Sequence, residues 1–440
     1  MTANFIEVDE SDIDPEEVLR EGEEPLWGGK EVTWGQELTR EYTNWIEEQR
    51  SWRETVALGD MTYMLNLHVK GSDAIKLFDD TSINNFDGFD VGECKHAVQC
   101  NHNGKIISEG VVEYIDEEHL AIQGFPAPYL IHCADVGDYD VSTEVVKDHV
   151  YEVIGPNAPD VMASIATEDV LDIPFMNLSH IEIADHDVIA IRHSLAGVPG
   201  FELLIPGDAA DEVRASIVDA GKEYGLREVG TRTWYTTRIE SGLPQGNLDY
   251  IPALYTDSVP SAFSTDGSFQ SDDITDWYRS PVEFGWGHYA DLDGDYPGRD
   301  ALEREIENPV RKLVTLEWDR EDVADIYGSF FRQGDTYKFQ EFPTKQRVGV
   351  RADEVRKDGK LIGVSTTPGY MYPFQQMLSL TTIDVEYSDP GTEVTVLWGE
   401  GDNPSNPMIE RHTQKEVSAT VAPAPYEDKD RRAEFTDGSV

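Results

Sequence analysis

Two kinds of hydrophobic pattern divide the 440-residue chain. Between about residues 37 and 224, segments with the helical period of about 3.6 residues alternate with segments that have the two-residue period of a strand. From residue 310 onward, only short strand-like runs follow one another. Strands interleaved with helices predict an α+β body, and the later runs predict a separate all-β unit, a small barrel or sandwich.

The composition of the segments suggests where the boundaries fall. Residues 1–25 are polar and rich in acids, and we expect them to form a loosely held arm. The body is expected over residues 26–309 and the β unit over residues 310–440. Residues 245–280 are rich in Ser, Asp, Gly and Tyr and predict a long loop, a kind of segment that is often functional. Whether this loop closes over a site stays open.

The clearest local prediction is a run of hairpins between residues 93 and 123. An extended run ends at Cys100, an Asn-Gly turn lies at residues 101–104, and a strand continues to Tyr114. A turn at residues 116–118 then leads into a strand that ends at Gln123. The other predicted elements are helices at 37–53, 74–80, 158–166 and 208–224 and C-terminal strands at Lys312–Trp318, Lys360–Ser365, Met377–Val385 and Glu393–Trp398.

The charge balance is strongly acidic. Asp and Glu number 86 against 35 Lys and Arg, for a formal net charge of -51, while 39% hydrophobic residues are too many for a disordered acidic chain. Because the acids are spread throughout the sequence, they are typical of a halophilic surface, on which counter-ions screen the self-repulsion. The same charge repels nucleic acid and anionic membranes, so neither is expected as a partner.

Cysteine usage and the N-terminal segment bear on location. The three cysteines are Cys94, Cys100 and Cys133, an odd number that argues against a disulfide scaffold and fits a reducing cytoplasm. The first 24 residues lack the basic and apolar regions of a signal peptide, and no window approaches 18 apolar residues. We therefore expect a cytoplasmic protein.

Two patterns resemble metal sites but fit poorly. Cys94, His96, Cys100 and His102 lie on one strand face, where they would span about 27 Å and could not all converge on zinc. The acids at residues 291–303 resemble a calcium loop that lacks its essential glycine. No metal is expected. The sequence has no Walker A loop, nucleophile elbow or His-Glu-x-x-His motif, which disfavours phosphoryl transfer, serine hydrolysis and zinc proteolysis.

Residues 231–242 are the strongest candidate for an active-site wall. This segment combines two arginines, two large aromatic residues, a carboxylate and a turn glycine in twelve residues. The residues of interest in this segment are Trp234, Tyr235, Arg238 and Glu240. As a strand, the segment would place Arg238 and Glu240 on one face. The alternative to a functional role is that these two residues form a solvent-exposed ion pair.

Taken in order, these pieces resemble the folate-dependent family that contains the glycine-cleavage T-protein, dimethylsulfoniopropionate demethylase and the tetrahydrofolate-dependent vanillate and syringate O-demethylases. The resemblance runs from about Trp45 to Val421 and is closest to the vanillate type in the tail. The segments that carry it are Gly155–Asn157, Gly200–Glu202, Asp295–Leu302, Gly369-Tyr370, Leu378–Leu380, Ile383-Asp384 and Thr395–Glu400.

The resemblance implies a three-lobed, T-protein-like folate-binding ring in which two interleaved α+β lobes and the C-terminal all-β barrel surround a central channel. It also implies a transferase with tetrahydrofolate as cofactor, which moves a methyl group from a small O-, N- or S-methylated donor to N5. Glu202 matches the glutamate that holds the pterin ring, since a carboxylate accepts two N–H bonds. Arg238 matches an arginine suited to the folate or substrate carboxylate. Glu109 and Ser108 fall on paired aspartates, one of which acts near N5, so Glu109 is a catalytic candidate.

Three departures bear on the donor. Tyr63 replaces a family histidine, Phe125 replaces the arginine that clamps an aromatic carboxylate, and Trp234 replaces the catalytic tyrosine, with Tyr235 beside it. Aromatic faces attract cations by about 0.5–2 kcal/mol each, so these three aromatic residues favour a methylated onium donor. The alternatives are an aryl O-demethylase with Tyr235 as the acid, an aminomethyltransferase with a lipoyl carrier protein as partner, and a non-catalytic folate-binding protein.

Overall fold

The computed structural model describes residues 30–33, 36–64, 66–124, 127–146, 148–193, 195–255, 264–344, 349–401 and 409–426. The predicted arm, residues 1–25, and Phe125 lie outside these ranges. The strands are β1 Lys30–Thr33, β2 Gln36–Thr39, β3 Val56–Asp60, β4 Asn66–Lys70, β5 Cys94–Cys100, β6 Ile106–Asp116, β7 His119–Gln123, β8 Ser142–Val146, β9 His149–Ile154, β10 Leu178–Ile183, β11 His186–Ile191, β12 Gly200–Ile205, β13 Leu226–Val229, β14 Ser264–Asp266, β15 Arg311–Trp318, β16 Gly349–Lys357, β17 Lys360–Met371, β18 Gln376–Asp384, β19 Glu393–Trp398 and β20 Lys415–Ala422. The α-helices are Trp45–Glu54, Ala74–Thr81, Ala127–Val136, Ala158–Ile165, Ala210–Gly221, Thr231–Trp234, Thr237–Ser241, Arg299–Glu307 and Arg320–Ser329.

Two sheets form the body. The first has the strand order β10-β11-β12-β9-β3-β13, and helices Ala158–Ile165 and Ala210–Gly221 contribute to the hydrophobic core on one of its faces. The second has the order β5-β6-β7-β4-β8, and helices Ala74–Thr81 and Ala127–Val136 contribute in the same way to its core. Because side chains alternate along a strand, each sheet keeps a second face for other contacts. These second faces carry the candidate site.

The C-terminal strands close on themselves. They follow the order β16-β17-β18-β15-β20-β19, and a further pairing of β19 with β16 completes a six-stranded barrel. The expected α+β fold with a C-terminal β-barrel is thereby confirmed. This unit also contains the helix Arg320–Ser329, which the sequence patterns did not predict.

The three units meet in one hydrophobic cluster. It contains Ala57 and Val150 from the first sheet, Cys94 from the second, and Met371 and Leu378 from the barrel. All five side chains are at least nine-tenths buried. This central cluster therefore fixes the two sheets and the barrel against one another.

The structure corrects the predicted form of residues 231–242. They form two short helices and not a strand, and Gly242 ends the second one in the left-handed region at φ 66°. Thr236 Oγ1 donates to the carbonyl of Thr233 at 2.6 Å, and Thr237 Oγ1 donates to that of Trp234 at 2.7 Å. These local bonds hold β-branched residues in helical turns that their strand propensity disfavours.

Two other predictions were wrong in part. Residues 36–39 form strand β2, so the helix expected from residue 37 begins only at Trp45. Within the predicted loop 245–280, Tyr250, Ile251 and Trp277 are buried. Strand β14 of the same segment pairs in parallel with β16 of the barrel unit. The described parts of this segment are thus largely irregular, as expected of a loop, but some of their side chains pack into the core.

Candidate active site

Buried carboxylates and an amide bring the two sheets together. Glu202 on β12 and Glu152 on β9 are directly opposite each other in the antiparallel register of the first sheet. From the second sheet, Gln123 Nε2 donates to Glu202 Oε1 at 2.6 Å and to Glu113 Oε1 at 2.9 Å. All four side chains are at least 96% buried. Three acids and one amide therefore form a polar centre between the two sheets.

Burial changes the titration of these acids. It raises the pKa of Glu202 to about 7, against the lowering effect of the Gln123 N–H. It raises the pKa of Glu113 to about 8, and the nearby charge of Glu202 adds to that rise. Burial and the charge of Glu202 also raise the pKa of Glu152 well above its ordinary range. Near neutral pH the centre therefore holds protons as well as charge, because three close carboxylates cannot all ionise at low cost.

Two phenols lie beside this centre. The rings of Tyr63 and Tyr235 have their centroids 5.9 Å apart, and both side chains are buried in the central cluster. Burial, reinforced by Tyr235 and Glu152, raises the pKa of Tyr63 well above its usual value, while the charge of Arg238 lowers it. Tyr63 thus keeps its proton and lies within electrostatic reach of both a buried acid and a buried cation.

Arg238 forms an ion pair with one acid and has further N–H donors. It pairs through Nη1 with Asp249, and Thr366 Oγ1 and Thr367 Oγ1 donate to the other oxygen of that carboxylate at 2.6 and 3.0 Å. Arg238 Nε and Nη2 are buried and have no hydrogen-bond partner among the described residues. The alternative of a solvated Arg238–Glu240 ion pair is not what the structure shows, because Arg238 pairs with Asp249 and Glu240 pairs with Arg53. Arg238 therefore offers two donor nitrogens, Nε and Nη2, to an anion.

Glu109 lies on the same strand face as Glu113, four residues away on β6. His96 Nε2 is 2.9 Å from Glu109 Oε2, and the rings of Trp286 and Tyr289 lie edge-on to His96. Val111, between the two acids on that face, packs against the central cluster. Glu109 is therefore partly buried, carries an imidazole partner and is turned toward the centre of the molecule.

The cysteines of the zinc-like pattern do not meet. Cys94 belongs to the central cluster, whereas Cys100 belongs to a separate core. Within the described ranges, no three His, Cys, Asp or Glu side chains are grouped so as to hold a metal ion.

Trp234 lies in the central cluster and is 3% exposed. Its indole N–H points at the sulfur of Met61, and its ring lies so close to Gly59 that a Cβ there would be 2.6 Å from it. A glycine at position 59 thus makes room for the indole. With Phe125 outside the described ranges, the structure brings Tyr63, Trp234 and Tyr235 into one cluster and places Glu202, Arg238 and Glu109 around it.

Sequence reasoning missed four functional candidates. These are Glu113, Gln123, Glu152 and Asp249, which complete the contacts of Glu202 and Arg238. The two-residue spacing from Glu109 through Val111 to Glu113 was a usable signal, because it puts both acids on one strand face. No comparable local signal marked Glu152 or Asp249.

This donor and acceptor set suits a nitrogen heterocycle with a charged substituent. One carboxylate oxygen of Glu113 and one of Glu152 are buried with no hydrogen-bond partner among the described residues, as is Gln123 Oε1. Acceptors of this kind complement the N–H groups of an aminopyrimidine, and the remaining N–H groups of Arg238 complement a carboxylate. The residues of the site therefore fit a nitrogen heterocycle that carries an acidic substituent.

Comparison with known proteins identifies the family. Residues 28–254 match the GCVT N-terminal domain family. The chain is 33% identical to a syringate O-demethylase from Sphingobium sp., over 88% of this chain and 89% of that protein. It is 32% identical to a sesamin methylene transferase from Sinomonas sp., over 82% and 84% respectively.

A solved structure supports the fold. The glycine cleavage system aminomethyltransferase T from Bartonella henselae superposes with a TM-score of 0.67 at 15% identity, covering 93% of this chain and 96% of that chain. The protein belongs to the GCVT family. It is an enzyme of folate-dependent one-carbon transfer, and the expected tetrahydrofolate cofactor is confirmed. None of the helices in the described part of the chain is long and apolar enough to cross a membrane.

Proposed function

We propose that this enzyme is a tetrahydrofolate-dependent O-demethylase that takes the methyl group of an aryl methyl ether carrying a carboxylate. The observation that carries the proposal is the buried pair of phenols, Tyr63 and Tyr235, beside Arg238 and Glu152. When bound, tetrahydrofolate supplies N5, the atom that accepts the one-carbon unit. Glu202 would hold the pterin ring of that cofactor, with Gln123 orienting the carboxylate.

The helical form of residues 231–242 allows Tyr235 to act as the proton donor. On a strand, neighbouring side chains point to opposite faces, so Tyr235 could replace an acid expected at Trp234 only through a bulge. In a helical turn, neighbours are about 100° apart, and Tyr235 reaches the central cluster together with Trp234. An aryl ether leaves as a phenolate that needs a proton, and Tyr235 is placed to hold that proton.

Arg238 supports a donor with a carboxylate. Its two unpartnered N–H groups match the fork geometry of a carboxylate, whether that group belongs to the donor or to the tail of the cofactor. Glu109, partnered by His96, is our candidate for accepting a proton near N5. One relative more than 30% identical to this chain is named a syringate O-demethylase, and another a sesamin methylene transferase, so both are named for transfer of a one-carbon group from an aromatic compound. They favour the same donor class.

The second candidate is a methylated onium donor. Tyr63 and Trp234 are both in the central cluster, and the faces of such aromatic rings attract a cation. Such a donor leaves as a neutral molecule and needs no proton from Tyr235. The two candidates therefore differ in how they depend on that phenol.

One assay separates the two donor classes. Purified protein is incubated anaerobically with tetrahydrofolate and one of five donors, namely syringate, vanillate, glycine betaine, dimethylglycine or dimethylsulfoniopropionate, and 5-methyltetrahydrofolate is measured. We expect turnover with an aryl ether and a fall in kcat of about 10²–10⁴-fold in Tyr235→Phe. Tyr63→Phe is the matched control, which removes a neighbouring phenol and is expected to cost less. Turnover confined to the onium donors, with Tyr235→Phe as active as the native enzyme, would refute the aryl-ether assignment.

We also propose that the enzyme works in a salt-rich cytoplasm. The net charge of -51 supports this setting, since a surface so acidic repels itself unless counter-ions screen it.

A further inference from the structure

Asn66 is a buried amide on the second sheet. It is the first residue of β4 and is 1% exposed. Neither Asn66 Nδ2 nor Asn66 Oδ1 has a hydrogen-bond partner among the described residues. Buried polar groups are nearly always paired, because an unpaired one costs the protein its hydration. An amide with both atoms unpaired therefore points to a ligand.

The strand register shows where this amide lies. Leu67 and Val69 belong to the helix-covered core of the second sheet, so Asn66, on the alternate face, is on the side of the polar centre. Asn66 is directly opposite Gln123 on β7, the residue that donates to Glu202. Its neighbour on the other side is the apolar Val146. Asn66 on β4 thus lies beside Gln123 on β7, on the same face of the sheet.

Tyr63 is close to Asn66 in the chain. It precedes Asn66 by three residues and lies in the central cluster with Tyr235. Asn66 is thus next to Gln123, which contacts the acids that would hold the pyrimidine edge of the cofactor, and is three residues along the chain from a phenol that would serve the methyl donor. A group in this position needs to both donate and accept, because the 4-oxo oxygen of a reduced pterin accepts and the adjacent N5–H donates.

We propose that Asn66 binds the 4-oxo and N5 edge of the reduced pterin, with Nδ2 donating to the oxygen and Oδ1 accepting from the N–H. This inference rests on the proposed function and assigns a further residue to the same site. A primary amide is the side chain that offers one donor and one acceptor side by side, which a carboxylate or a leucine does not. Asn66 is then a specificity residue for the oxidation state and the 4-substituent of the cofactor.

The test uses the opposite effects of one substitution on stability and on binding. Asn66→Leu removes the two unpaired atoms and keeps the branched shape of the side chain, so the free protein should melt at the same temperature as the native protein or higher. The same variant should bind tetrahydrofolate at least about tenfold more weakly, measured by tryptophan fluorescence or calorimetry without any methyl donor. It should also discriminate less between tetrahydrofolate and its 4-amino-4-deoxy analogue.

Asn84→Leu is the matched control. Asn84 is also buried, but its Nδ2 donates to the His96 carbonyl at 2.8 Å and its Oδ1 accepts from the Val98 amide at 3.0 Å. Its substitution should therefore lower the melting temperature without changing the preference between the two cofactors. If Asn66→Leu binds both cofactors as the native protein does, the inference is wrong. If Glu202→Gln loses tetrahydrofolate while Asn66→Leu keeps it, only the inference fails and the proposed function stands.

Discussion

Replacing Glu202 by Gln should change how stability depends on pH. The folded protein holds the Glu202 proton more tightly than the unfolded chain, since its pKa is about 7 and the ordinary value is 4.5. The stability gained from that bound proton is complete below pH 4.5 and is lost as the pH rises through 7. At about 1.4 kcal/mol for each tenfold change in proton affinity, the loss amounts to about 3 kcal/mol.

Glu202→Gln keeps the shape of the side chain and cannot ionise. The difference in free energy of unfolding between the variant and the native protein should therefore shift in favour of the variant by about 3 kcal/mol between pH 4.5 and pH 8. Loss of the Glu202 charge also lowers the pKa of Glu113 and Glu152, which shifts the difference in the same direction. The assay is urea unfolding followed by tryptophan fluorescence, in at least 1 M KCl so that the surface acids are screened. Glu144→Gln, the same change at an exposed position of β8, should follow the native pH profile. A difference between Glu202→Gln and the native protein that stays constant with pH would refute the reasoning.

Two further predictions concern the barrel and the surface. Lys338 is 1% exposed, and its Nζ lies 2.9 Å from Glu410 and 3.3 Å from Glu400. In urea unfolding, Lys338→Met should lower the free energy of unfolding by about 3–5 kcal/mol. Lys360→Met, which removes an exposed pair with Glu386, should lower it by about 1 kcal/mol or less. Equal losses in the two variants would contradict the buried network. The melting temperature of the native protein should rise steadily from 0.1 to 2 M KCl, because the screening length falls from about 10 Å to below about 3 Å. A flat or falling curve would argue against the halophilic surface.

The sequence predicted the elements whose signals are local. Strands Cys94–Cys100 and His119–Gln123 fall where the two-residue period and the Asn-Gly turn place them. A turn of a few residues fixes the register of a hairpin, so no distant contact has to be known. Four of the six barrel strands, β15, β17, β18 and β19, were predicted from short strand-like runs, whereas β16 and β20 were not, and closure depends on the pairing of β16 with β19.

The polar centre could not be predicted in this way. Gln123 reaches Glu202 across 79 residues of chain, and Glu152 faces Glu202 only through the register of two strands. In a chain with 86 acids, one more glutamate gives no sign of being buried. Glu202 itself was singled out through the family resemblance, which carries information that residue patterns alone do not.

The helical form of residues 231–242 shows how a local error affects a functional argument. Threonines and aromatic residues favour strands. On a strand, Tyr235 and Trp234 would point to opposite faces, so the prediction disfavoured Tyr235 as a proton donor and favoured a cationic donor bound by aromatic residues. The structure bonds the hydroxyls of Thr236 and Thr237 back to the helix, and Tyr235 then lies beside Tyr63 in the central cluster. Once adjacent residues can serve one site, the phenol no longer has to occupy the position of Trp234. The choice of donor thus depends on the backbone conformation of a few residues, which decides which side chains can act together.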